Sequence, residues 1–348
     1  MKSIFEYPKD KLQLYLIAHG FKKYLAEQIF DWIYIKNIYS FDEMTNISKT
    51  DRIKLQKYYT IEPLKVVAQQ QSKNGTVKFL FQLEDDYKIE TFLIPKSYGN
   101  SVCVTTQTEC RCNMTCTFCV SRLLKNLRNL STVEIVQQVV MVNRYLAAKQ
   151  DRVSHVIVTG IWEPFDNFDN TLKFVNIIND AKGYQIGARH ITISTCGFIP
   201  KIKKFAELKT QINLSISLHA PNNTIRNQLM PINKVYPVEK LMDAVRYYIE
   251  LTNRRVTFEY ILIEDINDSR ETALELAKLI KGLNSYVNLI PYNNTAIENG
   301  YKHSTKINQF FETLQQQKIN CIIRREFGYD IDVSCWQLRA KNEEIIIK

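Results

Sequence analysis

The sequence predicts an α/β fold in which strands and helices alternate around a largely parallel sheet. Between residues 131 and 324, short runs rich in Val and Ile alternate with longer segments whose apolar residues recur every three or four positions. Repeated strand–helix units favour parallel strands with right-handed crossovers, closed or partly closed into a barrel. We therefore expect three parts: a helical module at 1–60, a β-hairpin extension at 61–98 and a barrel at 99–348.

The helical module has two apolar series, and Gly20 follows the first of them as a plausible C-cap. In the second series the apolar residues recur at spacings of three and four, which is typical of a helix with one buried face. We expect most of these side chains to lie in a core: Leu12, Leu14, Leu16 and Ile17 in the first helix, and Leu25, Ile29, Trp32 and Ile33 in the second.

Strand-like runs occupy residues 62–95, where β-branched and aromatic residues are frequent. Asn74 and Gly75 separate two of these runs and form a hairpin-turn signal. The runs at 66–67, 77–81 and 89–94 are the predicted strands of the extension.

The barrel segment begins with a helix at 131–149, because Ser131 and Glu134 have the spacing of a capping box. The predicted strands that follow lie at 153–159, 190–195, 212–217, 256–263, 286–290 and 320–324. The predicted helices between them lie at 168–182, 198–208, 236–252, 269–282 and 304–318. In barrels of parallel strands, ligands bind at the carboxyl ends of the strands.

Three cysteines, Cys112, Cys116 and Cys119, form the most specific motif of the chain. They are separated by three and then two residues, which suits three corners of a cubane iron–sulfur cluster and leaves the fourth iron open. A structural zinc site would require four ligands, usually as two separated pairs, and the sequence has no second Cys-x-x-Cys pair. A zinc-stapled RNA-binding module remains the alternative. The eight cysteines of the chain favour metal or thiol chemistry over a disulfide framework.

The charge balance indicates a polyanionic partner or, alternatively, a solvated basic surface. Lys and Arg number 46 against 36 Asp and Glu, which gives a formal charge of +10, and surface cations release counterions when they contact phosphates. The N-terminal residues lack the apolar region of a signal peptide, and no uninterrupted apolar run reaches membrane-spanning length. We expect no membrane association and a cytoplasmic location.

At its cysteine trio the chain resembles the radical S-adenosylmethionine (SAM) superfamily, and further motifs are similar to the RlmN/Cfr family of RNA adenine methyltransferases. These motifs lie at 101–107, 116–119, 128–135, 217–222, 230–233 and 330–338, in the order that the family has them. The resemblance implies a partial (β/α)6 radical SAM barrel. It also implies a [4Fe-4S] cluster held by the three cysteines and two SAM molecules per turnover.

The resemblance also implies a set of SAM-contacting residues. Glu163 matches the carboxylate of a Gly-x-Gly-Glu-Pro segment that lies against the methionyl part of SAM, and Trp162 replaces a glycine of that segment. An indole can crowd a position where backbone must approach a ligand closely, so a catalytically silent RNA-binding relative is an alternative. The remaining matches are Ser194, Ser217, Leu218, His219 and Asn293.

Three further residues match the catalytic positions of the family. Cys335 matches the cysteine that carries the methyl group as S-methylcysteine, and Cys103 matches the cysteine that forms a transient disulfide with it. Glu90 lies thirteen residues before Cys103 and matches the proton acceptor. Cys110 is an additional cysteine within a two-residue insertion, and we expect it to be a free thiol.

The family resemblance implies methylation at C2 of an adenine in the peptidyl-transferase region of 23S rRNA and of the adenine beside the anticodon in tRNA. We favour C2 over the C8 methylation typical of Cfr because Pro164 follows Glu163, where Cfr has alanine. The implied partners are these RNAs and an electron donor such as flavodoxin with its reductase, or ferredoxin. The helical module is then expected to contact RNA, and the enzyme to be a monomer.

Overall fold

A computed structural model of the chain describes residues 1–108, 116–119, 128–159, 163–292 and 300–324, together with positions 331 and 338. Its helices are α1 Lys9–Ala18, α2 Leu25–Phe30, α3 Lys49–Tyr58, α4 Thr132–Ala147, α5 Phe168–Asn179, α6 Ile199–Glu207, α7 Asn223–Leu229, α8 Val238–Thr252, α9 Arg270–Ile280 and α10 Ile307–Gln316. Within the described ranges, we find no helix with the length and apolar character needed to cross a lipid bilayer.

The strands are β1 Lys2–Ser3, β2 Tyr59–Thr60, β3 Lys65–Gln71, β4 Val77–Gln82, β5 Lys88–Lys96, β6 Gly99–Val104, β7 Val153–Val158, β8 Ile191–Thr195, β9 Asn213–Ser217, β10 Val256–Leu262, β11 Ser285–Pro291 and β12 Cys321–Ile323. Short strands β1 and β2 pair with each other in the N-terminal module. In the described part of the chain, the other ten strands form one sheet in the order β12-β11-β10-β9-β8-β7-β6-β5-β4-β3.

This sheet joins a parallel part to an antiparallel part at β6. Strands β6 to β12 pair in parallel, with helices in the connections between them, which confirms the predicted α/β class. Strands β3, β4 and β5 pair antiparallel and continue the same sheet through β6. The strands of the predicted extension therefore belong to the same sheet as the barrel strands. The division of the chain at residues 60 and 98 stays a prediction.

The two faces of the sheet differ in chemistry because side chains alternate along each strand. Residues of the outer face, such as Val102, Val156 and Ile193, are fully buried and belong to the main apolar core. The inner face carries both polar and apolar side chains. One row of paired residues crosses it from β4 to β9 and consists of Lys78, Phe92, Cys103, Ile157, Thr192 and Asn213.

Local signals in the sequence account for several element boundaries. Ser131 caps α4, and the reciprocal contact of Glu134 completes the predicted capping box. Gly20 has φ +72° directly after α1, and Gly75 has φ +85° in the turn between β3 and β4. Strand β6 and helix α7 were not predicted. Neither segment has enough apolar periodicity of its own to indicate its state.

The N-terminal module differs in part from its predicted core. Leu12 and Leu16 are buried on one face of α1, whereas Leu14 and Ile17 are exposed. The two buried residues are four positions apart and therefore lie on the same side of the helix. Leu25, Ile29 and Ile33 are buried as expected, and Trp32 is half-buried.

Candidate active site

Two of the three cysteines predicted to hold the cluster lie on one turn at the rim of the barrel. Cys116 and Cys119 are half-buried, and the Cys119 N–H donates to the Cys116 carbonyl at 3.0 Å. The Thr117 N–H donates to the carbonyl of Leu229, the last residue of α7, at 3.0 Å. The Thr117 hydroxyl lies 2.7 Å from the hydroxyl of Tyr301. The turn is thus fixed to the barrel from two sides.

The donor chemistry of this turn fits an iron–sulfur cluster. Thiolates are the usual ligands of such clusters, and the two thiols belong to the same turn. The third predicted ligand, Cys112, lies outside the described residues, as does Cys110. Among the described residues, accordingly, no three potential ligand side chains converge.

Glu163 lies just beyond β7 and joins the ends of two strands. Its side chain is 2% exposed. One carboxylate oxygen accepts a hydrogen bond from the Phe165 N–H at 3.1 Å, and the other accepts one from the Cys196 N–H at 2.6 Å. Burial raises the pKa of Glu163, and the hydrogen bonds to its oxygens oppose that rise. Both oxygens thus hold the main chain at the ends of β7 and β8.

The remaining predicted SAM contacts in the described residues also lie at strand ends. Ser194 is the penultimate residue of β8, and Ser217 is the last residue of β9; both are half-buried. Leu218 and His219 follow β9 and are buried. These positions confirm that the sequence motifs come together at one edge of the sheet, although their roles toward SAM remain predictions.

His219 is held as a neutral imidazole. Its backbone is left-handed, with φ +57°, and its Nδ1 accepts the Ile261 N–H at 3.1 Å, which assigns the ring proton to Nε2. Burial lowers the pKa of His219 to about 3, and the nearby Arg226 cation adds to this. The Phe118 ring packs edge-on at 5.2 Å between centroids. Phe118 and His219 thus connect the cysteine turn with the end of β9.

Arg226 on α7 is a buried cation that organises the same strand ends. It is fully buried, and its guanidinium donates to the carbonyls of Cys196 at 2.7 Å and Leu218 at 3.1 Å, and to the side chain of Asn233 at 3.1 Å. In the described part of the chain, no carboxylate lies within salt-bridge distance of it. Burial lowers the pKa of Arg226 to about 10, and the nearby Cys196 and Cys116 oppose that shift.

Glu90 and Cys103 lie on the inner face of the sheet, on adjacent strands. Cys103 pairs with Phe92 of β5, two residues from Glu90. Glu90 is buried beside Lys78 of β4, with 2.8 Å between Lys78 Nζ and Glu90 Oε2. Cys103 is a buried free thiol. Burial raises its pKa, and the nearby Arg324 and Lys96 cations oppose that rise.

Four predicted site residues lie outside the described part of the chain: Cys112, Trp162, Asn293 and Cys335. The structure therefore does not test the predicted partnership of Cys103 with Cys335. Sequence reasoning also missed two residues of the site, Lys78 and Arg226. Lys78 had a detectable signal, since it is a single cation inside the apolar run of β4, whereas Arg226 resembles any surface arginine in the sequence.

Comparisons with known proteins agree with this geometry. A profile of the radical SAM superfamily matches residues 109–277, and a profile of the ribosomal RNA large subunit methyltransferase N-terminal domain matches residues 3–61. A protein of Spiroplasma citri named as a probable dual-specificity RNA methyltransferase RlmN is 82% identical over 348 residues, which is 100% of both chains. The chain belongs to the RlmN family.

Further similarities extend over nearly the whole chain. The RlmN relative from Shouchella clausii is 52% identical and covers 100% of this chain and 99% of its own. The crystal structure of a radical SAM methyltransferase from Sphaerobacter thermophilus matches with a TM-score of 0.91 at 37% identity, covering 97% of this chain and 99% of that one. The resemblance inferred from the motifs and the radical SAM barrel it implied are both confirmed.

Proposed function

We propose that the protein methylates C2 of one adenine in the peptidyl-transferase region of 23S rRNA and of the adenine beside the anticodon in tRNA. The observation that carries this proposal is the full-length identity of 82% to a protein named as a dual-specificity RlmN methyltransferase. The inner face of the sheet has a buried carboxylate and a buried thiol on adjacent strands, which supports the same chemistry.

The proposed cofactors are one [4Fe-4S] cluster, held by Cys112, Cys116 and Cys119, and SAM. When bound, they would supply the methyl group and the one-electron chemistry that an unactivated ring carbon requires. The residues proposed to bind SAM are Trp162, Glu163, Ser194, Ser217, Leu218, His219 and Asn293. Because His219 is neutral, it would contribute a hydrogen bond from Nε2 rather than a positive charge.

The protein's own residues would carry the methyl group and release the product. The thiolate of Cys335 is a competent nucleophile for the incoming methyl group. After the carbon of that group is joined to the adenine, Glu90 would accept the proton from C2. Cys103 would then attack the sulfur of Cys335, so that a sulfur–sulfur bond forms as the carbon–sulfur bond breaks. The released carbon keeps the electron pair and takes up a proton, and a dithiol reductant restores the two cysteines.

The N-terminal module is proposed to contact the RNA. Tyr24 and Tyr39 are 56% and 59% exposed, and exposed aromatic rings can stack on unpaired bases. Lys36 Nζ lies 3.6 Å from the centroid of the Trp32 ring and adds a cation beside this surface. We further propose two SAM molecules per turnover, a flavodoxin- or ferredoxin-type electron donor, a monomeric state and a cytoplasmic location, where both RNAs are found.

Nucleoside mass spectrometry tests the proposed position of methylation. Digested 23S rRNA and tRNA from cells with and without the gene are compared, and we expect 2-methyladenosine to disappear from both RNAs when the gene is deleted. Restoration by the wild-type gene, but not by a Cys335→Ala variant, is the matched control. Loss of 8-methyladenosine instead would assign Cfr-type chemistry, and no change would overturn the assignment.

A separate measurement tests whether Trp162 prevents SAM chemistry. The protein is reconstituted anaerobically with iron and sulfide, reduced, and supplied with SAM. We expect formation of 5′-deoxyadenosine, and a Trp162→Gly variant to form it at least as fast, because glycine permits close backbone approach. If the wild-type protein contains the cluster but forms no 5′-deoxyadenosine, it is the catalytically silent RNA-binding relative.

A further inference from the structure

A fully buried ion pair lies on the inner face of the sheet, between β4 and β5. Lys78 Nζ is 2.8 Å from Glu90 Oε2, and the two side chains are 0% and 1% exposed. The ammonium group also lies 4.9 Å from the centroid of the Phe92 ring. Phe92 pairs with Lys78 on one side and with Cys103 on the other. The ion pair and the buried thiol therefore share one face of three adjacent strands.

An ion pair at this depth is a costly way to stabilise a sheet. Moving an ammonium and a carboxylate out of water costs several kcal/mol for each ion, and apolar residues of similar volume often replace such pairs without loss of stability. Lysine is almost never fully buried unless it is paired. The position of Lys78, inside the apolar run of β4, is thus better explained by its effect on Glu90 than by packing.

We propose that Lys78 is a positioning residue for methylation, which keeps the Glu90 carboxylate ionised and fixed on the face that carries Cys103. An adjacent cation favours the charged form of a carboxyl group, whereas burial favours the neutral form. Only the charged form can accept a proton. When Glu90 accepts the ring proton, its carboxyl group becomes neutral and keeps a hydrogen bond from the Lys78 side chain.

This inference rests on the proposed function, because it takes Glu90 as the proton acceptor. Other charged or titratable groups lie on the same face of the described strands: Lys88 and Lys96 on β5, Cys103 on β6, His155 on β7 and Glu259 on β10. Arg324 acts on Cys103 and on Glu259. Nearby cations favour an ionised Glu90, and a second carboxylate opposes it. We expect Lys78 to have the strongest effect, because its ammonium group contacts the carboxylate at 2.8 Å within a fully buried pair.

The first test is the pH dependence of single-turnover methyl transfer by the reconstituted enzyme. Lys78→Met removes the cation and nearly preserves the side-chain length, so the Glu90 pKa rises. We expect the acid limb of the rate profile to move upward by about one pH unit or more, which is a loss of about tenfold on the acid side with recovery at high pH. Lys78→Arg retains the charge and is expected to retain the wild-type profile.

The second test needs no cofactor and measures the unfolding free energy of the full-length protein against pH. In Lys78→Met, the buried Glu90 has a raised folded-state pKa, so stability is present at low pH and falls as the pH rises through that pKa. Lys78→Met combined with Glu90→Gln removes this dependence. Lys65→Met, at an exposed lysine of β3, is the matched control and is expected to leave both the rate profile and the stability unchanged.

The outcomes separate this inference from the proposed function. Glu90→Gln is expected to abolish turnover, and full activity of that variant would refute the role of Glu90 itself. With Glu90→Gln inactive, a Lys78→Met enzyme whose rate falls equally at every pH would refute the role of Lys78. A Lys78→Arg enzyme displaced as far as Lys78→Met would also refute it. Should Lys78→Met not fold, Lys78→Gln, which is neutral and can still donate a hydrogen bond to Glu90, is measured in its place with the same two outcomes.

Discussion

Glu90 and Glu163 are both buried carboxylates of the candidate site, but they have different partners. Glu90 faces the ammonium of Lys78 on the neighbouring strand. Glu163 accepts hydrogen bonds from two main-chain N–H groups, of Phe165 and Cys196. The first arrangement fixes a charge inside the sheet, and the second fixes the path of the chain at the rim. The contrast separates a carboxylate that we propose to accept a proton from one that holds the main chain at the ends of two strands.

Breaking the ion pair is expected to have the largest effect. Glu90→Gln removes the carboxylate that Lys78 contacts at 2.8 Å in a fully buried pair, so we expect the free energy of unfolding to fall by about 3 to 5 kcal/mol at neutral pH. Urea denaturation measures this loss. The Glu90→Gln, Lys78→Met double variant should recover most of it, and additive losses in the double variant would contradict a direct pair.

Replacing Arg226 tests whether this residue holds the ends of β8 and β9 in place. Arg226→Met deprives the carbonyls of Cys196 and Leu218 of their donor, and each unsatisfied buried group costs about 1 to 3 kcal/mol. We expect a total loss of about 3 kcal/mol in urea denaturation. Arg246→Met, which breaks an exposed pair with Asp243, should cost less than about 1 kcal/mol. Equal losses in the two variants would show that Arg226 does not hold the strand ends.

Glu163→Gln tests whether the second carboxylate is needed for its charge or for its two acceptor oxygens. The amide keeps one acceptor and turns an NH2 group toward a main-chain N–H, so one of the two hydrogen bonds is lost. We expect a loss of about 2 kcal/mol in unfolding free energy. Glu163→Ala, which loses both acceptors, should cost more. A fully stable Glu163→Gln protein would mean that one oxygen suffices at the rim.

The smallest expected effect is the acid sensitivity due to His219. Its pKa is about 3 in the folded protein against about 6.5 when unfolded, so protonation favours the unfolded state. Stability due to this residue is therefore full at neutral pH and is lost as the pH falls below about 6.5. Between pH 7 and pH 5.5 we expect a loss of about 1 kcal/mol. His219→Asn, which tolerates a positive φ, should reduce the loss measured by urea denaturation across that range.

The sequence allowed much of the fold to be predicted because its signals are local. The capping box of Ser131 and Glu134 gave the start of α4, and the apolar runs gave β7 to β11 to within a few residues. Strand β6 was missed because it begins at Gly99, at a φ of +124°, directly after a turn. Its pairing with β7 depends on contacts distant in sequence.

Site residues that belong to a sequence motif could be predicted. Residues that reach the site only through pairing across the sheet or packing of a helix were missed. Glu163 and His219 could be chosen from their motifs, and both lie at the strand ends. The partners of these residues could not be chosen in this way. Lys78 meets Glu90 only through the register of β4 and β5, and Arg226 reaches the ends of β8 and β9 only through the packing of α7.

Helix α7 connects two parts of the site that are distant in sequence. Its last residue, Leu229, accepts the hydrogen bond of the cysteine turn, and its Arg226 holds the carbonyls that follow β8 and β9. A displacement of the cysteine turn would therefore also move helix α7. Through Arg226, that movement would reach the ends of β8 and β9, where we expect SAM to bind. We therefore expect binding of a cluster on the cysteine turn to affect the position of that edge.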